Sequence, residues 1–226
     1  MLFDYSRDGT LRSVEASLKR LRLDYLDIVL IHDVIRHFHG EDGVHDRFIE
    51  ARDGAIPALQ QLRDEGIVRA IGCGLKDVDI AARFIDEAEI DVVVLPGRLT
   101  LLDQSAITSG LADLCLKHGV ALIPAAPFDS GILATGAIAG ASYGYKPAEA
   151  AVITRVTAME QLCLEHGVPI QAAALQYPKR HPAVASVLCG MRTLAHVSEN
   201  VAWMEMPIPT ELWTALRRET GLILPD

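Results

Sequence analysis

Aromatic side chains are scarce in this chain, at 5% of 226 residues, so a core must be built from aliphatic ones. Cysteine is sparse too. Cys73, Cys115, Cys163 and Cys189 stand far apart with no CxxC pair, which argues against a disulfide framework and against zinc. Each lies in an apolar segment, where a free thiol behaves as a small hydrophobe. No run approaches the ~20 apolar residues of a membrane span. Residues 1–8 lack the basic start and apolar centre of a signal peptide. Positive charge is short as well: 21 Lys and Arg against 30 Asp and Glu leave a net charge of −9. That balance excludes nucleic acid or an anionic membrane as the main partner and suits a cytoplasmic enzyme. No GxGxxG joins a strand to a helix, and Gly72-Cys73-Gly74 is too short to serve as one.

What is present is a substantial apolar supply, 50% of residues with mean hydropathy +0.23, which excludes disorder. Leu11, Val14, Leu18 and Leu21 recur at helical spacing, with Thr10 as the expected N-cap. A strand over 27–32 follows at once and ends on His32. A polar loop over 33–53 comes next, then a helix over 55–65 closed by Gly66. Further strands are expected over 68–72, 92–95, 120–124 and 184–189. Helices are expected over 77–88, 105–118, 147–166, 170–177, 194–204 and 209–220. Continuous apolar strands alternating with helices mean a parallel sheet covered on its outer face. Eight such strands would close a (β/α)8 barrel of the TIM type, and about five are countable here. An open doubly wound sheet is the rival. Leu114–Val120 and Leu162–Val168 echo each other, and both read as ordinary helix endings.

A titratable residue at the C-terminal end of a strand is where a βα barrel keeps its chemistry, and His32 has that position. An imidazole there can polarise a carbonyl or relay a proton. His37, His39 and His45 with Asp33, Glu41, Asp42 and Asp46 invite a metal reading, and with it a metal-dependent hydrolase. They lack the i, i+4 pair of a zinc helix, so a solvated loop is preferred and no metal is expected. Ser130-Gly131 follows a strand and Asp129. Gly190-Met191-Arg192-Thr193 precedes a helix carrying Glu199 and Asn200. Both turns suit a phosphate, the second through the helix N-terminus.

Several segments together resemble one family. They are Phe3-Asp4-Tyr5-Ser6 with Ser13–Leu18, Leu30-Ile31-His32-Asp33 with His39-Gly40, and Gly97-Arg98-Leu99-Thr100-Leu101-Leu102-Asp103-Gln104. Pro127-Phe128-Asp129-Ser130-Gly131-Ile132-Leu133-Ala134-Thr135-Gly136 and Ile208-Pro209-Thr210-Glu211-Leu212-Trp213 complete the set. From Phe3 onward the chain resembles the aldo-keto reductases, in the branch of D-threo-aldose (L-fucose) 1-dehydrogenases and pyridoxal 4-dehydrogenases.

The resemblance implies one domain over 1–226, lacking the family's first three strands, that moves hydride between NAD or NADP and a sugar or pyridoxal-like substrate. It implies a tetrad of aspartate, tyrosine, lysine and histidine. His32 matches the histidine, and the other three are expected upstream of Met1; Asp4 and Tyr5 do not align with them. Ser130, Gly131 and Leu133 would meet the cofactor's pyrophosphate, and Gly190, Arg192, Glu199 and Asn200 its adenosine end. His196 falls where an arginine often holds a 2′-phosphate, which favours NAD. Three departures weaken the match: Gly74-Leu75-Lys76-Asp77 lacks the asparagine for the nicotinamide amide, Leu99 replaces a tyrosine, and Asp129 adds negative charge beside a pyrophosphate. The chain alone is therefore expected to turn over none of L-fucose, D-arabinose or pyridoxal. The alternative is a catalytically silent barrel acting as a binding or scaffold protein. Open sheet edges predict self-association.

Overall fold

The computed structural model describes residues 3–225. Ser6 starts the first helix, α1 (Arg7–Leu21): its backbone is extended and its Oγ accepts from the Gly9 N–H at 3.1 Å. Thr10, the expected cap, sits inside the helix and returns its hydroxyl to Ser6 O. Asp4 decides between them by accepting from both the N–H and the hydroxyl of Ser6.

Four strands follow, β1 (Leu26–His32), β2 (Val68–Gly74), β3 (Val92–Pro96) and β4 (Ala121–Ala125), in one sheet of that order. β2 pairs in parallel with β1 and with β3, setting His32 opposite Gly74 and Gly72 opposite Val92. The crossovers are helical: α2 (Arg36–Glu50) and α3 (Ile56–Asp64) before β2, α4 (Val78–Glu87) before β3, α5 (Ser105–Thr108) and α6 (Leu111–His118) before β4. This is a parallel α/β sheet of the TIM-barrel type, and it is not closed.

Three elements depart from the sequence expectation. Residues 33–53 are mostly helical, with α2 kinked at Gly40 and a wide turn over Ala51–Ala55. Val44, Phe48, Ala51 and Ala55 recur at helical spacing and are all buried; the polar residues between them hid the stripe. The helix over 105–118 is broken at Gly110, whose φ is 76°. The strand over 184–189 is reduced to isolated bridge positions at Val184 and Leu188, the latter pairing in parallel with Ala125. Ala185, Ser186 and Leu188 are exposed, and an apolar run without a covered face gains too little burial to extend the ladder.

The chain divides into two compact units, residues 1–95 with 109–122 and residues 96–108 with 123–226. In the first, Phe48 and Phe84 meet edge to face at 4.8 Å, with the Arg83 guanidinium 3.8 Å over Phe48. Among the described residues β1 pairs only with β2, and Leu21, Leu23, Tyr25 and Ile28 are exposed on and before it. In the second unit lie α7 (Ile132–Thr135), a short β5–β6 hairpin (Ser142–Tyr143, Lys146–Pro147) and α8 (Ala150–Glu165). The helices α9 (Ile170–Gln176), α10 (Leu194–Glu205) and α11 (Thr210–Thr220) complete it. Its core centres on Tyr177, whose hydroxyl donates to Ile223 O at 2.6 Å.

The sequence echo ends two helices in the same way. Gly119 and Gly167 adopt φ of 69° and 68°, and the next N–H bonds back to Cys115 O or Cys163 O at 2.9 Å. That is a Schellman-type stop, which favours glycine at the left-handed position. No helix among the described residues is long and apolar enough to cross a membrane.

Candidate active site

In the first unit, β1 delivers His32 to its C-terminal end with the imidazole 70% exposed. Nδ1 lies 3.0 Å from Asp33 Oδ2. Asp33 has a left-handed backbone (φ 60°), costly for a residue other than glycine but tolerated best by Asp and Asn. Three hydrogen bonds hold it there. Its N–H donates to Gly74 O (3.1 Å), and its carbonyl accepts from the Ile35 N–H (2.8 Å) and from His39 Nε2 (3.1 Å). The Tyr5 hydroxyl donates to His32 O at 2.9 Å. Burial, reinforced by the Asp33 charge, pushes the Tyr5 pKa up, so this hydroxyl keeps its proton. The His32 ring lies across Gly74: a Cβ there would stand 3.1 Å from Cδ2.

Beside them Arg36 ties two crossovers together. Its N–H donates to Asp77 Oδ2 and its guanidinium to Asp79 Oδ1, both at 2.8 Å, while Nε reaches Glu41. The bond from Arg36 holds the Asp79 carboxyl below its usual range. The remaining histidines of the segment have other contacts: His37 packs edge-on against Phe38, Phe3 packs edge-on against His39, and His45 Nδ1 accepts from Arg83. Among the described residues no three His, Cys, Asp or Glu side chains converge on a metal position.

In the second unit Asp129, Ser130 and Gly131 form a 3-10 turn with φ of 46°, 59° and 101°. Its amides are largely self-bonded: Gly131 N and Leu133 N both donate to Phe128 O, at 2.9 and 3.1 Å. The Ser130 hydroxyl accepts from Tyr145 N at 3.1 Å, and the Leu133 side chain is fully buried. Asp129 is only 7% exposed. The Thr100 hydroxyl donates to it, and Oδ2 has no hydrogen-bond partner. Burial pushes its carboxyl up to about 7, helped by the Asp103 charge and opposed by Thr100, Arg155 and Arg98. Arg155 bonds Leu102 O (3.0 Å) and Leu101 O (3.3 Å), which anchors the chain around Thr100.

Of the other expected cofactor residues, Gly190 and Arg192 precede α10, and Glu199 and Asn200 lie within it. Thr193 caps it by accepting from His196 N at 3.1 Å, and His196 Nδ1 in turn accepts from Arg192 N. Arg192 and Glu199 are exposed. Asn200 is buried and donates from Nδ2 to Cys189 Sγ at 3.4 Å, so its side chain ties the preceding segment to the helix. A Cβ on Gly131 or Gly190 would meet nothing within 4 Å, so both turns have open space above them.

Sequence reasoning missed the Tyr5–His39–Asp33 support of His32 and the buried network of Thr100, Asp129 and Arg155. One faint signal was available for the first, since Asp directly after a strand-end His is a residue type that accepts positive φ.

Residues 1–218 match the Aldo/keto reductase family. The chain belongs to that family. As an aldo/keto reductase it is 39% identical to a pyridoxal 4-dehydrogenase of Microbacterium luteolum, over 98% of this chain and 64% of that protein. It is 34% identical to a D-threo-aldose 1-dehydrogenase of a Pseudomonas species, over 95% of this chain and 62% of that one. This chain thus spans less than two thirds of the length of either relative. Among solved structures it superposes on an aldo-keto reductase from Bacillus halodurans with a TM-score of 0.74 at 22% identity, covering 98% of this chain and 70% of that one. The glycerol dehydrogenase of Gluconobacter oxydans gives 0.73 at 19%, covering 100% and 69%. Likeness at that identity speaks for the fold alone, and the fold is that of the aldo/keto reductases.

Proposed function

We propose that this aldo/keto reductase takes part in an NAD(P)-linked oxidation of a C–OH group on a small sugar or pyridoxal-like substrate, with His32 at the substrate oxygen. The observation that carries the reading is an exposed strand-end imidazole, with Asp33 Oδ2 3.0 Å from its Nδ1, in a chain so similar to an aldose and a pyridoxal dehydrogenase.

Open space above Gly131 and Gly190 supports a dinucleotide on the second unit, although the Gly131 and Leu133 amides already donate to Phe128 O. Gly131 and Gly190 leave room for a backbone-hugging group, and Ser130, Gly131 and Leu133 shape the turn that would carry the pyrophosphate. Gly190, Arg192, Glu199 and Asn200 would serve the adenosine end, Asn200 by fixing the segment rather than by touching the nucleotide. Asp129 opposes the fit less than its charge suggests, because burial keeps much of it neutral near pH 7. His196 in place of an arginine favours NAD. Bound there, the nicotinamide would supply the hydride acceptor.

The sequence alone predicts no turnover, since only His32 of the tetrad has a match. Asp33 Oδ2, 3.0 Å from His32 Nδ1, supports a role for the imidazole in turnover by placing a carboxylate beside it. The second reading, binding without turnover, draws support from Tyr5, whose hydroxyl is committed to His32 O.

The test is NAD(P)H formation with L-fucose, D-arabinose and pyridoxal, beside a fluorescence titration of each dinucleotide. Slow formation with at least one substrate, lost at least 100-fold in His32→Ala, is expected. Dinucleotide binding with no NADH or NADPH from any of the three would favour the second reading.

A further inference from the structure

Asp129 is 7% exposed in the second unit, and its Oδ2 has no hydrogen-bond partner among the described residues. The donor it does have is the Thr100 hydroxyl. That hydroxyl also accepts from Leu102 N (3.1 Å) and Asp103 N (2.9 Å), so one side chain joins Asp129 to the chain over 100–103. The charged groups around the carboxyl are committed elsewhere. Arg98 pairs with Asp103 at 2.8 Å, and Arg155, whose Nε is buried and unbonded, donates to Leu101 O and Leu102 O. From β5, Tyr143 sits close enough for its hydroxyl to feel the Asp129 charge. A neutral carboxyl suits such a place, and a carboxylate left with one donor does not. Burial accordingly pushes this acid up to about 7, against the Thr100 bond.

The backbone that carries Asp129 is poised to move. Asp129, Ser130 and Gly131 have φ of 46°, 59° and 101°, and two of the three carry side chains that disfavour that region. The turn is held by Asp129 N on Ala126 O (3.1 Å) and by Gly131 N and Leu133 N on Phe128 O. Ser130 Oγ accepts from Tyr145 N at 3.1 Å, which ties the turn to the β5–β6 hairpin. From this arrangement we propose that Asp129 is a proton-operated latch: neutral, it seats the 129–131 turn on Thr100; ionised, it leaves its pocket for water and frees the turn and the hairpin together. The only bond that breaks is the carboxyl O–H, and its proton passes to water. On the dinucleotide reading above, on which this consequence rests, the latch makes cofactor affinity fall as pH rises.

The experiment is an NMR titration of the full chain, with the Asp129 carboxyl carbon assigned by the signal lost in Asp129→Asn. For an acid centred near 7, the neutral form falls about tenfold between pH 6 and pH 8. Exchange protection of the Gly131 and Leu133 amides, corrected for the intrinsic rise with pH, is expected to fall about tenfold with it. Asp129→Asn should stay protected at both pH values. Thr100→Val removes the donor that favours the carboxylate and should move the midpoint upward, while Thr100→Ser restores it. A carboxyl that titrates below pH 5, protection that stays flat while it titrates, or the same fall in Asp129→Asn would overturn the latch. Titration with NAD, whose phosphates keep their charge over this range, is the second readout. Its affinity should fall about tenfold from pH 6 to pH 8 in wild type and stay level in Asp129→Asn. Constant affinity beside a loosening turn would overturn the link to the cofactor. No NAD binding at either pH would sink the dinucleotide reading, and the exchange data would still decide the latch.

Discussion

Asp129→Asn is expected to stabilise the protein at pH 8 and to change it far less at pH 4. The folded-state carboxyl titrates at about 7, well above its ordinary value of 3.8, because burial disfavours the charged form. A raised acid contributes its full stability below the ordinary pKa, and that contribution is lost as pH climbs through the folded value. The asparagine variant has no charge to bury, so its advantage should grow between about pH 4 and pH 7 and then level off. Each tenfold weakening of the acid on folding corresponds to about 1.4 kcal/mol, which puts the gain at pH 8 at roughly 2–4 kcal/mol. Urea unfolding of both proteins at pH 4, 6 and 8 measures it. A difference that stays flat across that range would show that Asp129 is not the buried acid described. The same substitution removes a negative charge beside the turn proposed to carry the pyrophosphate, so on that proposal it should also tighten cofactor binding at pH 8.

Gly72→Ala is expected to be the most damaging single-methyl change in the first unit. In the parallel ladder Gly72 stands opposite Val92, and an ideal Cβ would lie 1.9 Å from Val92 O and 2.6 Å from Val92 Cγ1. The first obstacle is backbone, which cannot rotate away as a side chain would. Relief requires β2 and β3 to separate, which would strain the Asp91 N–H bond to Ile71 O (2.7 Å). A loss of about 4 kcal/mol or more follows, most of the margin of an ordinary domain. Gly43→Ala, inside α2 with only His39 Cβ nearby at 3.7 Å, provides the contrast and should gain about 0.5–1 kcal/mol from helix propensity. Thermal unfolding of both variants checks the pair. Equal midpoints would mean the two strands are farther apart than the register requires.

The sequence was most informative where one signal sufficed. Val92–Leu95 is a bare apolar run and became β3, and 27–32 became β1 with His32 at its end. It was least informative where tertiary packing decides. Residues 33–53 look like a loop because Gly40 and Gly43 precede the buried stripe from Val44 to Ala55 and many charges interrupt it. Residues 184–189 look like a strand because hydrophobicity is visible in a sequence and lack of cover is not. His32 was legible through its position, whereas Asp33 and Asp129 owe their importance to positive φ and to burial. Neither property can be read from residue type alone.

The Arg36 clasp gives the mouth of the first unit its mechanics. One guanidinium and one amide join the exit of β1 to the exit of β2 through Asp77 and Asp79. The two connections therefore open as one cooperative piece rather than as independent loops, and their amide hydrogens should exchange in step. The joint is partly ionic and partly solvent-exposed, so salt would loosen it. Ionic strength thus becomes a control on how freely the ground beneath His32 moves.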